Sequence, residues 1–162
     1  EVPQFIQGLY FDTHALGATY AEFGAGLTFF DDNVKLQLEA GRAPGQGRFT
    51  GYVGGFKLLA NVAQVPFSYF FGPDWSFFSM SVAVGSCFTY FTMTEDTFAI
   101  TDEGLILGSV LGQWEFAKFS FENQRYLSSL AFYGEMSLWF ISAEVEGGAE
   151  PRAAFGMRMG LF

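Results

Sequence analysis

Ionisable side chains are scarce in this 162-residue chain: 17 Asp and Glu, 8 Lys and Arg, and one His. His14 sits in Asp12-Thr13-His14. A serine nucleophile would need an imidazole base within hydrogen-bond reach, and no serine is marked as its partner. The plainer reading of His14 is an exposed turn residue outside the regular strands. Cys87 is the single cysteine. It cannot close an internal disulfide, and no Cys/His spacing suggests zinc. It reads as a small filler facing inward among Ser and Thr. No cofactor or metal is expected. The net charge of −9 argues against nucleic acid as a partner, since phosphate binding needs clustered Lys and Arg. What remains is a scatter of opposite charges: Glu22, Lys35, Glu39, Glu115, Glu135, Arg152 and Arg158. They can act together only if the fold turns them toward one axis.

The longest uncharged stretch, Trp75 to Thr94, bears on what that fold is. Its length suits a transmembrane helix. Its content does not: it has no Leu, one Ala, four Ser and three Thr, with Phe, Val, Tyr and Met for most of the rest, a strand vocabulary. Phe78, Met80, Val82, Val84, Phe88 and Tyr90 share one parity. Phe77, Ser79, Ser81, Ala83, Gly85, Cys87 and Thr89 share the other. A period of two is that of a strand. The alternation recurs over Thr19–Phe29, Val34–Gly41 and Ala153–Leu161.

Which face is filled separates a soluble sheet from a membrane barrel. A soluble barrel of this size would have to bury 22 Phe in one small core. Here the second face carries Gly, Ser, Lys, Glu and Arg, which cannot form a dense apolar interior. The pattern makes sense if bulky groups face lipid and charges face a narrow lumen. The chain is therefore read as all-β: an antiparallel, up-and-down transmembrane β-barrel. Turn signals divide it at Asp31-Asp32-Asn33, Ala43–Gly47, Asn61 and Pro66, Gly72-Pro73-Asp74, Thr94–Gly104, Glu122–Arg125 and Glu146–Pro151. They predict eight strands, at about 16–30, 34–43, 48–60, 63–71, 75–92, 104–121, 126–145 and 151–162. Parity switches near Trp139, as at a bulge. A turn hidden at Gly134-Glu135 would make the count ten. Residues 1–15 do not alternate cleanly; they either start the first strand, lie under the barrel or enter its lumen. Residues 16–162 are the barrel. The opening Glu1-Val2-Pro3, with no Met, fits a mature exported protein whose signal peptide has been cleaved.

The segment Arg152–Phe162, with Gly156, Met159 and Leu161 in spaced positions and an aromatic Phe162 at its end, resembles the closing strand of bacterial outer-membrane proteins. The whole pattern is similar to the small eight-stranded barrels of the OmpA, OmpX and OmpW kinds. That resemblance implies a place in the cell outer membrane with both termini periplasmic. It implies contact with outer-membrane lipids, including lipopolysaccharide, and recognition of the closing strand by the barrel assembly machinery. It also raises a lipid-modifying enzyme built on His14, for which no partner serine is marked.

The function then turns on the lumen. With the parities above, Glu22, Lys35, Glu39 and Arg158 point inward, and Glu115, Glu135 and Arg152 join them. An eight-stranded barrel is just wide enough for side chains to fill it, and buried charges are usually paired. Structural filling is the first reading; a narrow OmpW-like channel for small or apolar solutes is the second. Inward Gly24, Gly26, Gly41, Gly85, Gly156 and Gly160 leave room for hollow space or allow tight coiling. Trp75, Tyr90, Phe91, Trp114, Tyr126 and Trp139 form a candidate interfacial belt. Connections are short, which argues against a ligand receptor. It favours a non-catalytic structural, accessory or anchoring barrel that meets other envelope proteins.

Overall fold

The structure is a computed structural model. It describes residues 6–16, 20–30, 33–43, 51–91, 105–122, 126–140 and 149–161. Eight strands run in sequence: β1 (Ile6–Leu16), β2 (Tyr20–Phe29), β3 (Val34–Ala43), β4 (Gly51–Pro66), β5 (Phe78–Phe91), β6 (Leu105–Ser120), β7 (Ser129–Phe140) and β8 (Ala149–Leu161). Each pairs antiparallel with the next, and β8 returns to β1, closing an up-and-down barrel. Closure leaves no sheet edge. The even count brings Ile6 and Leu161 to one end, with Leu9 opposite Leu161.

The total of eight matches the expectation through two differences that cancel. Ile6–Leu16 is a complete strand, so the first strand is not residues 16–30. Conversely, no separate strand covers residues 63–71. β4 runs through Asn61 to Pro66, and the chain then turns through a short helix α1 (Ser68–Phe71) and a 3-10 turn at Pro73–Trp75. Neither Gly134-Glu135 nor the approach to Trp139 interrupts β7: its register with β8 is continuous from Ser129 to Phe140. The ten-strand alternative therefore fails. Several breaks expected from sequence fall wholly or partly outside the described residues: those at 31–32, 44–47, 94–104, 123–125 and 146–148.

The alternation sorts side chains as lipid would. On β5, Val82, Val84, Phe88 and Tyr90 are exposed, while Ser79, Ser81, Ala83, Cys87 and Thr89 are buried. Phe77, grouped by parity with the inward set, lies before the strand and is exposed. Outside the barrel Phe23, Leu38, Met136 and Phe155 are each about 70% exposed (67%, 67%, 72% and 71%). The inside is mostly polar. Three irregularities lie at the end that carries Ile6 and Leu161: beside Gly8 on β1, at Val62 on β4 and at Phe116 on β6. The extra residue at Phe116 reverses the parity of β6. Glu115 therefore faces Tyr133, whereas Lys118 comes to face Ala131, and both line the interior. A bulge that re-aims a side chain has this effect.

Candidate functional site

Among the described residues, the interior network of ion pairs and hydrogen bonds draws side chains from every strand except β2, which contributes buried Thr28 to the cavity lining. Asp12 comes from β1, Lys35, Gln37 and Glu39 from β3, and Lys57 from β4. Ser81 and Cys87 come from β5, Gln113 and Glu115 from β6, Tyr133 and Glu135 from β7, and Arg158 from β8. On the inner face of β2, Gly24 and Gly26 are bare for a steric reason. A Cβ on Gly24 would stand 2.8 Å from Nε2 of Gln37, and one on Gly26 would collide with the ring of Tyr10.

Two ionic clusters meet in this space. In the first, Arg158 donates from Nε to Asp12 Oδ2 (3.1 Å) and from Nη1 to Glu115 Oε2 (3.1 Å). Glu115 also pairs with Lys35 (3.4 Å) and accepts from Ser81 Oγ (3.2 Å). The Tyr133 hydroxyl donates to Asp12 Oδ1 at 2.5 Å. In the second, Lys57 lies between Glu39 and Glu135, 2.9 Å from each. Gln37 donates to Glu39 (2.8 Å). Gln113 joins the clusters. Its Nε2 donates to Glu135 (3.1 Å) and its Oε1 accepts from Arg158 Nη2 (3.1 Å). Charge-assisted bonds of this kind are about twice as strong as neutral ones. Their value here is that no buried carboxylate named above stands alone, since an unpaired buried charge is the costly case.

Arg158 is also held between two aromatic faces. Its guanidinium carbon lies 4.8 Å from the ring centre of Tyr10 and 4.9 Å from that of Tyr133, within range of a cation–π attraction. Each ring covers the glycine directly across from it on the neighbouring strand: Tyr10 over Gly26, and Tyr133 over Gly156. A side chain at Gly156 would push Tyr133 off both Arg158 and Asp12. Gly156→Val is expected to lower stability in lipid by about 1–3 kcal/mol, the usual range for overpacking. Outward-facing Gly112, whose Cβ would meet nothing within 4 Å, provides the control. Equal losses for Gly156→Val and Gly112→Val, measured by guanidinium unfolding, would contradict this packing.

Of the residues picked out by sequence, Lys35, Glu39, Glu115, Glu135 and Arg158 are buried and share this network. The side chains of Glu22 and Arg152 lie outside the described residues. Cys87 is buried, 3.2 Å from Thr89 Oγ1 and 3.7 Å from Glu39. His14 is within β1, opposite Glu22 and Gly156 in register, not in a turn; its side chain is outside the described residues. Gly156, Met159 and Leu161 all fall on β8, Met159 outward and Gly156 beneath Tyr133; Phe162 lies outside the described residues. Asp12, Lys57, Gln113, Tyr10 and Tyr133 were not singled out from sequence. Trp75, Tyr90, Trp114 and Tyr126 are exposed; the side chains of Phe91 and Trp139 are outside the described residues.

The lumen is not filled along its whole length. Leu59, Ala83, Cys87 and Leu111 make a small apolar wall along β4 to β6. Toward the end bearing Ile6 and Leu161 a cavity of about 260 Å³ opens between Tyr10, Lys35, Glu115, Lys118, Ser128 and Arg158. Its lining includes Lys35, Glu115 and Arg158 of the first cluster.

No family model matches the sequence, and no curated protein does. Among solved structures, the chain is similar to the N-terminal β-barrel domain of Pseudomonas aeruginosa OprF. The TM-score is 0.52 at 12% identity, over 95% of this chain and 99% of that one. The likeness is one of fold: a closed barrel of eight antiparallel strands.

Proposed function

We propose, from the barrel fold shared with OprF, that this chain is an integral outer-membrane barrel with a structural, accessory or anchoring role and a lumen closed to solutes. One observation carries the reading: the ion pairs and hydrogen bonds linked from Asp12 to Glu39 cross the interior and use side chains of six strands. The bulky exterior supports a lipid environment, and the shared end of β1 and β8 would then face the periplasm. Its partners would be outer-membrane lipids, including lipopolysaccharide, the assembly machinery that reads Gly156, Met159, Leu161 and Phe162, and other envelope proteins. Planar-bilayer recording tests the closed lumen: the protein is expected to stay silent across voltages and salts. Reproducible current steps would contradict it. They would favour the second reading, a narrow channel, for which the cavity reaching Lys35 and Arg158 is the supporting observation.

A further inference from the structure

The connection between β4 and β5, residues 67–77, has an unusual composition for a turn at the mouth of a barrel. Six of its eleven residues are aromatic: Phe67, Tyr69, Phe70, Phe71, Trp75 and Phe77. Asp74 is its single charge. Tyr69, Phe70 and Phe71 are 83%, 61% and 60% exposed. Such a surface is unfavourable in water.

The segment is built rather than loose. Phe67 N donates to Phe78 O (2.9 Å), Phe71 N to Phe67 O (3.0 Å), Gly72 N to Ser68 O (3.0 Å) and Trp75 N to Gly72 O (3.1 Å). The rings form a continuous chain. Phe67 meets Phe71 at 5.5 Å between centroids, Phe71 meets Trp75 at 5.5 Å, and Trp75 meets Phe77 at 5.8 Å. Phe67 also packs edge-on against Phe78 (4.4 Å), which touches Phe119 (4.9 Å). This last contact fixes the direction. Phe78, Phe119, Leu130, Met159 and Phe11 are successive register partners in one row around the barrel wall, and Phe11 and Met159 are exposed on its outer side. The aromatic chain thus continues the outward-facing row. No residue of 67–77 lines the cavity at the mouth.

We propose that residues 67–77 are an interfacial anchor, seated at the headgroup–acyl boundary of the leaflet on the side of the chain termini. The inference rests on the membrane placement proposed above. Lipid is the occupant because the ring chain is continuous with the row that faces it. The paired backbone groups suit a water-poor layer, and aromatic rings with Ser68, Tyr69, Asp74 and Ser76 beside them suit a boundary between apolar and wet. The anchor sets the depth of the barrel and leaves its lumen mouth uncovered.

Single-tryptophan proteins test this in phosphatidylcholine vesicles with bromines placed either near the top or near the end of the acyl chains. One keeps Trp75 (Trp114→Phe, Trp139→Phe). The other keeps Trp114 (Trp75→Phe, Trp139→Phe), on the outer face of β6. Trp75 is expected to lose most of its emission to the shallow bromines, less to the deep ones, and little to aqueous iodide. Quenching of Trp75 by iodide but not by bromolipid, or shielding of Trp75 from both by a second copy or another protein, overturns the anchor while Trp114 still responds to lipid. If Trp114 also ignores the bromines, the membrane placement itself is wrong and the anchor goes with it.

Discussion

Lys57→Met is expected to be among the most damaging single substitutions in this protein, at about 3–5 kcal/mol, the usual loss when one partner of a buried pair is removed. Lys57 is 1% exposed and is the cation between Glu39 and Glu135, at 2.9 Å from each. Methionine matches the aliphatic stem but leaves two carboxylates side by side in the lumen. The loss should therefore be one of charge, not of volume. Adding Glu39→Gln and Glu135→Gln to Lys57→Met should restore most of the stability, because an uncharged, well-packed set is often as stable as a buried ion pair. Guanidinium unfolding from phospholipid vesicles reads both effects. A triple variant no better than Lys57→Met would mean that packing around the lysine stem carries the stability.

The second large effect lies on the opposite face. Val110 is on β6 between Gly108 and Gly112 and is 50% exposed. In a soluble protein, Val→Arg at such a site would change stability by no more than about 0.5 kcal/mol. On a lipid-facing wall the same change should cost about 2–4 kcal/mol near the midplane. Val110→Leu should cost little in either setting. The comparison asks whether the outer surface meets hydrocarbon. If Val110→Arg were as stable in vesicles as Val110→Leu, it would not.

The inside-out logic of the barrel could be read from residue types alone, since a period of two with Phe and Val on one face and Ser, Gly and charge on the other admits few folds. Lys35, Glu39 and Arg158 are all buried on the inner side, where β3 and β8 alternate without a break. The omissions have a common cause. In β1 a large ring, Tyr10, occupies an inward position, so the segment around Asp12 does not look alternating. Lys57 was hidden because inward Leu59 follows it between outward Phe56, Leu58 and Ala60. The cross-strand complement offered a signal: the bare glycines at 24, 26 and 156 mark where side chains as large as Gln37, Tyr10 and Tyr133 must lie. The strand expected at 63–71 failed for another reason. Pro66 has no backbone donor to continue a ladder, and beyond it Phe67 to Phe71 close local helical bonds instead.

A nitroxide scan of β5 probes the sidedness most directly. Single cysteines at positions 79 to 90, introduced in a Cys87→Ser background with position 87 labelled in the native chain, would be reconstituted in vesicles. Collision with oxygen dissolved in the bilayer should be high at 82, 84, 88 and 90 and low at 81, 83, 87 and 89. A reversed alternation, or uniform access to a water-soluble nickel chelate at the first set, would contradict a barrel that turns its bulk to lipid and its charges to the axis.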